Sequence, residues 1–220
     1  MQVKTEAAGI VLRLTIRAMN EWRERLARWF SPLARRCPLS PNAITLLALV
    51  INLGGAVCLA HGDRRPHLFL VAIGLVSLGG LLDAFDGIVA RVQGKSSRFG
   101  DFLDHCADRL SDTFIGAGWL MGSGVRTPMM VAAVVLIMMT GYVGTQIEAT
   151  YRHRSYDAVG RGEFVLALVV LPIVSFIVFS NGWQSVRLLT LTIPEWLAVL
   201  LITTAIVGIG QRVAQARSLE

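Results

Sequence analysis

At 220 residues, 54% of them hydrophobic and with a mean hydropathy of +0.57, the chain is too apolar for an ordinary soluble domain of its size. Its net charge of +6 is confined to short stretches beside apolar segments, which membrane topology and anionic lipid explain and nucleic-acid binding does not. Cys37, Cys58 and Cys106, with no CxxC and no cysteine–histidine spacing suited to zinc, exclude a disulfide scaffold and are expected to be free thiols.

Residues 1–40 are expected to form an amphipathic juxtamembrane segment. Leu12, Ile16, Met19, Trp22, Leu26, Trp29 and Leu33 recur at steps of three and four, while Arg13, Arg17, Arg23, Arg28 and the Glu21/Glu24 pair take the other positions. Such a helix lies in the membrane interface or packs on its own protein, and crosses nothing. Arginines interrupt the apolar residues throughout and no small-residue cleavage site follows, so a signal peptide is not expected. Pro38 and Pro41 end the segment, and Asn42 or Thr45 can cap the helix that follows.

Residues 41–220 are expected to form one all-α domain, an integral membrane bundle of six transmembrane helices. The segments run roughly over 42–60, 67–90, 100–122, 128–150, 162–181 and 194–211, each near the ~20 residues that cross ~30 Å of hydrocarbon. Gly74, Gly79 and Gly80 in the second permit close helix approach. Met129, Met130, Met138 and Met139 in the fourth are expected to pack or to face lipid, and Pro172 can kink the fifth. Sixteen Lys and Arg fall before Asn42, in the linkers Arg91–Arg98 and Arg152–Arg161, and in the tail with Arg212 and Arg217. Only Arg64, Arg65, Arg126 and Arg187 lie on the opposite side, which puts both termini on the cytoplasmic face of a cell membrane, expected to be prokaryotic.

Acids cluster where the second and third segments meet that face. Asp83 and Asp86 are three residues apart, so on a helix they lie about 60° from each other, with Gly87 and Ala90 beside them. Asp101, Asp104, Asp108 and Asp112 occupy an arc of roughly 80° on the next helix. An ionised carboxylate at the centre of a membrane helix costs about 2.5–3.5 kcal/mol, and a cluster costs more. Oxygen ligands converging from two helices suit a hard divalent cation such as Mg²⁺ or Mn²⁺, so Asp83, Asp86, Asp104 and Asp108 are candidate metal ligands. Asp101 can instead serve the positive end of its own helix, and Asp112 can support the ligands or pair with Arg109. His105 and Cys106 lie beside the ligands without matching any His/Cys metal pattern, and are read as packing residues or as supports for the ligands. Arg91 can meet a pyrophosphate or pair with an aspartate.

The full spacing is Asp83, Asp86, Gly87, Ala90, Arg91, Gly100, Asp104 and Asp108, eight residues at fixed intervals within 26. It resembles the signature of the CDP-alcohol phosphotransferase family at every fixed position, and the apolar segments around it are similar to the family's six-helix membrane fold. The resemblance implies a phospholipid-synthesis transferase that moves a phosphatidyl-type group from a CDP-linked lipid to a polar alcohol and releases CMP. It implies Mg²⁺ or Mn²⁺ as cofactor, two ions being expected, with Asp108 also the general base. It assigns CDP binding to Asp86, Gly87, Ala90, Arg91, Gly100 and Thr45, and in members with a phosphorylated acceptor, such as inositol phosphate or glycerol phosphate, it points to Arg154, Arg161 and Arg212 for the acceptor's phosphate. Simple topological arginines explain those three nearly as well. A homodimer is implied by the resemblance only.

Two other readings compete. A CDP-choline or CDP-ethanolamine type transfer to a lipid alcohol would use the same signature. An ion-coupled transporter would also carry intramembrane acids, but no inverted repeat or matched pair of broken helices is present.

Overall fold

Residues 28–151 and 161–219 are described in a computed structural model, with side chains throughout except at 161–168. The expected interfacial helix before residue 28 lies outside them. Residues 28–36 are helical, and Phe30, Ala34 and Cys37 pack this stretch against Ile44, Phe85, Ile88 and Val89. Trp29 and Leu33 stay exposed on its other side.

Six long helices follow: α1 (Pro41–Ala60), α2 (His67–Val92), α3 (Arg98–Gly122), α4 (Thr127–Tyr151), α5 (Arg161–Ser180) and α6 (Ile193–Arg217). Among the described residues, α1, α2, α4 and α6 are long and apolar enough to cross a membrane. The third carries the acid column. A two-stranded antiparallel hairpin, Arg187–Leu188 with Leu191–Thr192, fills the turn before α6.

Three of the differences from the expected boundaries have a clear local cause. Ser40, not Asn42 or Thr45, caps α1: its Oγ accepts from the Ala43 N–H at 3.2 Å, with Pro41 at the first helical position. The third helix begins at Arg98 because Ser97 caps it, its Oγ accepting from the Gly100 N–H at 3.0 Å. The last helix runs on to Arg217, six residues past its expected end, because nothing in Gln211–Arg217 breaks a helix.

Helix α1 lies against both α2 and α3, α4 packs on α6 and α3, and α5 on α2. The main core is at the end away from the acids, around Leu59, Phe69, Ala72, Trp119 and Leu120. Lipid tails are as apolar as leucine, so close packing rather than hydrophobic transfer must hold these helices together. A Cβ on Gly118 would come within 2.3 Å of the Ala56 carbonyl oxygen, and one on Gly122 within 1.8 Å of that of Leu59. The absent side chains let α1 and α3 touch backbone to backbone. In α2, Gly79 makes room for the Asn52 side chain of α1, whereas a Cβ on Gly74 or Gly80 would meet nothing within 4 Å. Trp119 donates to Ser175 Oγ at 2.9 Å, tying α3 to α5 inside this core. All three cysteines are free.

Candidate metal centre

The acid cluster forms where the start of α1, the end of α2 and the start of α3 meet. Helix α2 stops sharply there. Gly94 adopts φ +66°, its N–H reaches the Arg91 carbonyl at 3.3 Å, and the Lys95 N–H reaches Ala90 at 2.8 Å, closing the last carbonyls. Gln93 at the same end donates to the carbonyls of Ala34 and Cys37, both at 2.9 Å, which fastens the 28–36 helix to it. The chain then turns through Lys95 and Ser96 into α3.

One carboxylate oxygen from each of Asp83, Asp86 and Asp104 lies within 4.8 Å of the others. Two of these acids come from α2 and one from α3, so the group is made by tertiary packing. Asp104 also forms a second group of the same tightness with Asp108 and a ring nitrogen of His105. Asp83 shares its electrostatic neighbourhood with Asp86, Asp104 and Asp108, and reaches hydrogen-bonding range of Asp104. Like charges this close in a low-dielectric setting need a cation, and a donor set of carboxylate oxygens fits a hard divalent ion. His105 stands beside the ligands, as its place next to Asp104 in the chain leads one to expect, because His105 and Asp108 are three apart on one helix edge.

Asp86 is only 6% exposed and Thr45 4%. The Thr45 hydroxyl donates to the Asp86 carboxylate across the α1–α2 contact, with the Pro41 carbonyl at 3.1 Å as a second acceptor. Thr45 is therefore a support for Asp86. Asn42 stands one turn earlier, where its Oδ1 would be 3.2 Å from a Cβ on Gly100, so the starts of α1 and α3 meet beside the cluster.

Around this group the remaining candidates separate. Arg91 is exposed, with its Nη1 3.5 Å from where a Gly87 Cβ would be, and among the described residues it forms no ion pair with an aspartate. Asp101 is exposed in the first turn of α3. Asp112 pairs with Arg109 at 3.4 Å, and Arg109 also approaches Asp108 at 3.7 Å. The Arg109 stem lies on Gly141 of α4, where a Cβ would come within 2.4 Å of its Cδ. Arg212 of α6 donates to the Thr140 carbonyl of α4. Arg154 lies outside the described residues, as does the side chain of Arg161 at the start of α5.

The family model for CDP-alcohol phosphatidyltransferase matches residues 38–209. The chain is 30% identical over 200 residues to the phosphatidylinositol phosphate synthase of Mycobacterium marinum, covering 86% of this chain and 80% of that one. To the archaetidylinositol phosphate synthase of Methanothermobacter thermautotrophicus it is 26% identical over 162 residues, covering 73% and 80%. Its fold is similar to the crystal structure of Mycobacterium tuberculosis phosphatidylinositol phosphate synthase with CDP-DAG bound, with TM-score 0.63, 23% identity and coverage of 86% and 94%. The structure of that protein with manganese and citrate gives TM-score 0.61 at 24% identity, covering 84% and 88%.

Proposed function

The chain belongs to the CDP-alcohol phosphatidyltransferase family, and from that premise we propose that it transfers the phosphatidyl group of CDP-diacylglycerol to inositol phosphate and releases CMP. The acceptor is inferred from the relatives: those named for a phosphatidyl and those named for an archaetidyl product differ in lipid but share inositol phosphate. The observation that carries the chemistry is the meeting of Asp83, Asp86 and Asp104 from two helices.

In this reading the acceptor hydroxyl attacks the lipid-side phosphorus of the donor, a new P–O bond forms, the bond to CMP breaks, and the hydroxyl proton passes to Asp108. That role requires the Asp108 carboxylate within about 3 Å of the hydroxyl. Asp83, Asp86 and Asp104 would hold one ion, and Asp104 and Asp108 a second. Bound Mg²⁺ or Mn²⁺ supplies charge neutralisation on the phosphoryl oxygens and the departing CMP. Thr45 keeps the Asp86 carboxylate turned toward its partners. Gly87, Ala90 and Gly100 leave room for the nucleotide against the backbone, and Arg91, exposed beside Gly87, takes the pyrophosphate. Arg154, Arg161 and Arg212 are assigned to the acceptor's phosphate.

Residues 1–40 form the juxtamembrane segment and 41–220 the catalytic domain, whose six helices all cross the membrane with the acids and both termini cytoplasmic. The protein acts as a homodimer. Purified protein with Mn²⁺ and CDP-diacylglycerol is expected to release CMP with inositol phosphate and not with free inositol, serine or glycerol phosphate. Release with free inositol at the same rate would overturn the acceptor assignment.

A further inference from the structure

Thr45, Asp86 and Asp104 make one layer across α1, α2 and α3, and a second polar layer lies beneath it. Seven residues deeper on each helix stand Asn52, Gly79 and Ser111. Seven residues are two turns, about 10 Å along each axis, and return to nearly the same face. Asn52 is 9% exposed and Ser111 7%, and Asn52 Nδ2 donates to Ser111 Oγ at 3.1 Å, joining α1 to α3. Asn52 Oδ1 is buried without a hydrogen-bond partner and points at Gly79 of α2, where a Cβ would come within 2.0 Å of it.

We propose that Asn52 is a positioning residue which, through Ser111 and Gly79, sets the register of three helices so that their acids converge. The acid layer cannot align all three helices by itself: the Thr45–Asp86 bond joins only α1 to α2, and Asp104 of α3 is repelled by the α2 acids until a cation is present. Apolar contacts with lipid on all sides favour no particular register either, whereas an interhelical hydrogen bond does. A slip of one residue would break the Asn52–Ser111 bond or drive the amide into a side chain. The bond also anchors the two helices, α1 and α3, whose Thr45 and Asp104 must each meet Asp86 on the third.

The inference rests on the acid cluster being the metal site, so the experiment separates the two. Purified Asp86→Asn, Asn52→Leu, Ser111→Ala and Ser111→Thr proteins are titrated with Mn²⁺, the free ion being read by electron paramagnetic resonance and thermal unfolding recorded in parallel. Wild-type affinity in Asp86→Asn removes the metal site and the inference with it. With affinity lost there, the expected result is a tenfold or greater rise in the Mn²⁺ dissociation constant for folded Asn52→Leu. A smaller rise is expected in Ser111→Ala, largely recovered in Ser111→Thr. Wild-type affinity in Asn52→Leu and Ser111→Ala overturns the proposal even if both unfold earlier. Should Asn52→Leu not fold, Ser111→Ala against Ser111→Thr decides it.

Discussion

Asp86 is an almost fully buried carboxylate that accepts from the Thr45 hydroxyl, and that pairing makes Thr45 a sensitive probe of the site. A hydrogen bond to a charged group contributes about 1.5–3 kcal/mol, so Thr45→Val is expected to weaken metal-dependent activity roughly tenfold to a hundredfold. The measurement is the Mn²⁺ concentration giving half-maximal CMP release, and a shift of less than twofold would show that Asp86 does not depend on the hydroxyl. Asp108→Asn keeps the side chain's shape and removes its basicity, so it is expected to abolish CMP release from a protein that unfolds at the wild-type temperature. Full turnover in that variant would take Asp108 out of the chemistry. Arg212→Ala is expected to raise KM for inositol phosphate while leaving KM for the CDP-lipid in place, and equal KM values would leave this arginine a structural role, such as its bond to Thr140. The acids were legible in the chain because their spacing on single helices is a local matter. The Thr45–Asp86 bond was not, since those residues are 41 apart and either could have been satisfied by its own helix.

At the scale of the element, helix ends decide where the charged residues point. The turn after α2 depends on Gly94 at φ +66°, which a side chain enters at a cost of roughly 1–2 kcal/mol. Gly94→Ala is therefore expected to lower the unfolding temperature by a few degrees with CMP release largely kept, and an unchanged unfolding temperature would mean that the turn relaxes. Serine caps set the starts of α1 and α3, and both lay two residues or fewer from the expected starts. Ser40 and Ser97 carry the ordinary capping signal, and Asn42 carries it too; the chain alone does not say which side chain faces the free N–H groups. His105 shows the opposite case. No metal spacing announces it, and its place beside Asp104 and Asp108 follows from the helix edge it shares with them.

For the whole molecule, the prediction concerns orientation. In a background without the native cysteines, Arg64→Cys is expected to react with a membrane-impermeant maleimide on intact cells and Lys95→Cys only after permeabilisation; the reverse would invert the topology. Apolar runs, loop charges and the eight-residue signature are carried by the order of residues along the chain, so membrane residence, the all-α class and the family followed from it directly. Helix register, by contrast, depends on contacts between residues tens of positions apart. That Gly118 and Gly122 meet backbone while Gly74 and Gly80 meet nothing, that Asn52 lies over Gly79, and that Asp104 reaches the α2 acids were decided only by the packed bundle. The reason is physical: one sequence of apolar helices can pack in many rotations at similar cost in lipid, and the few polar and small residues select among them only once the helices touch.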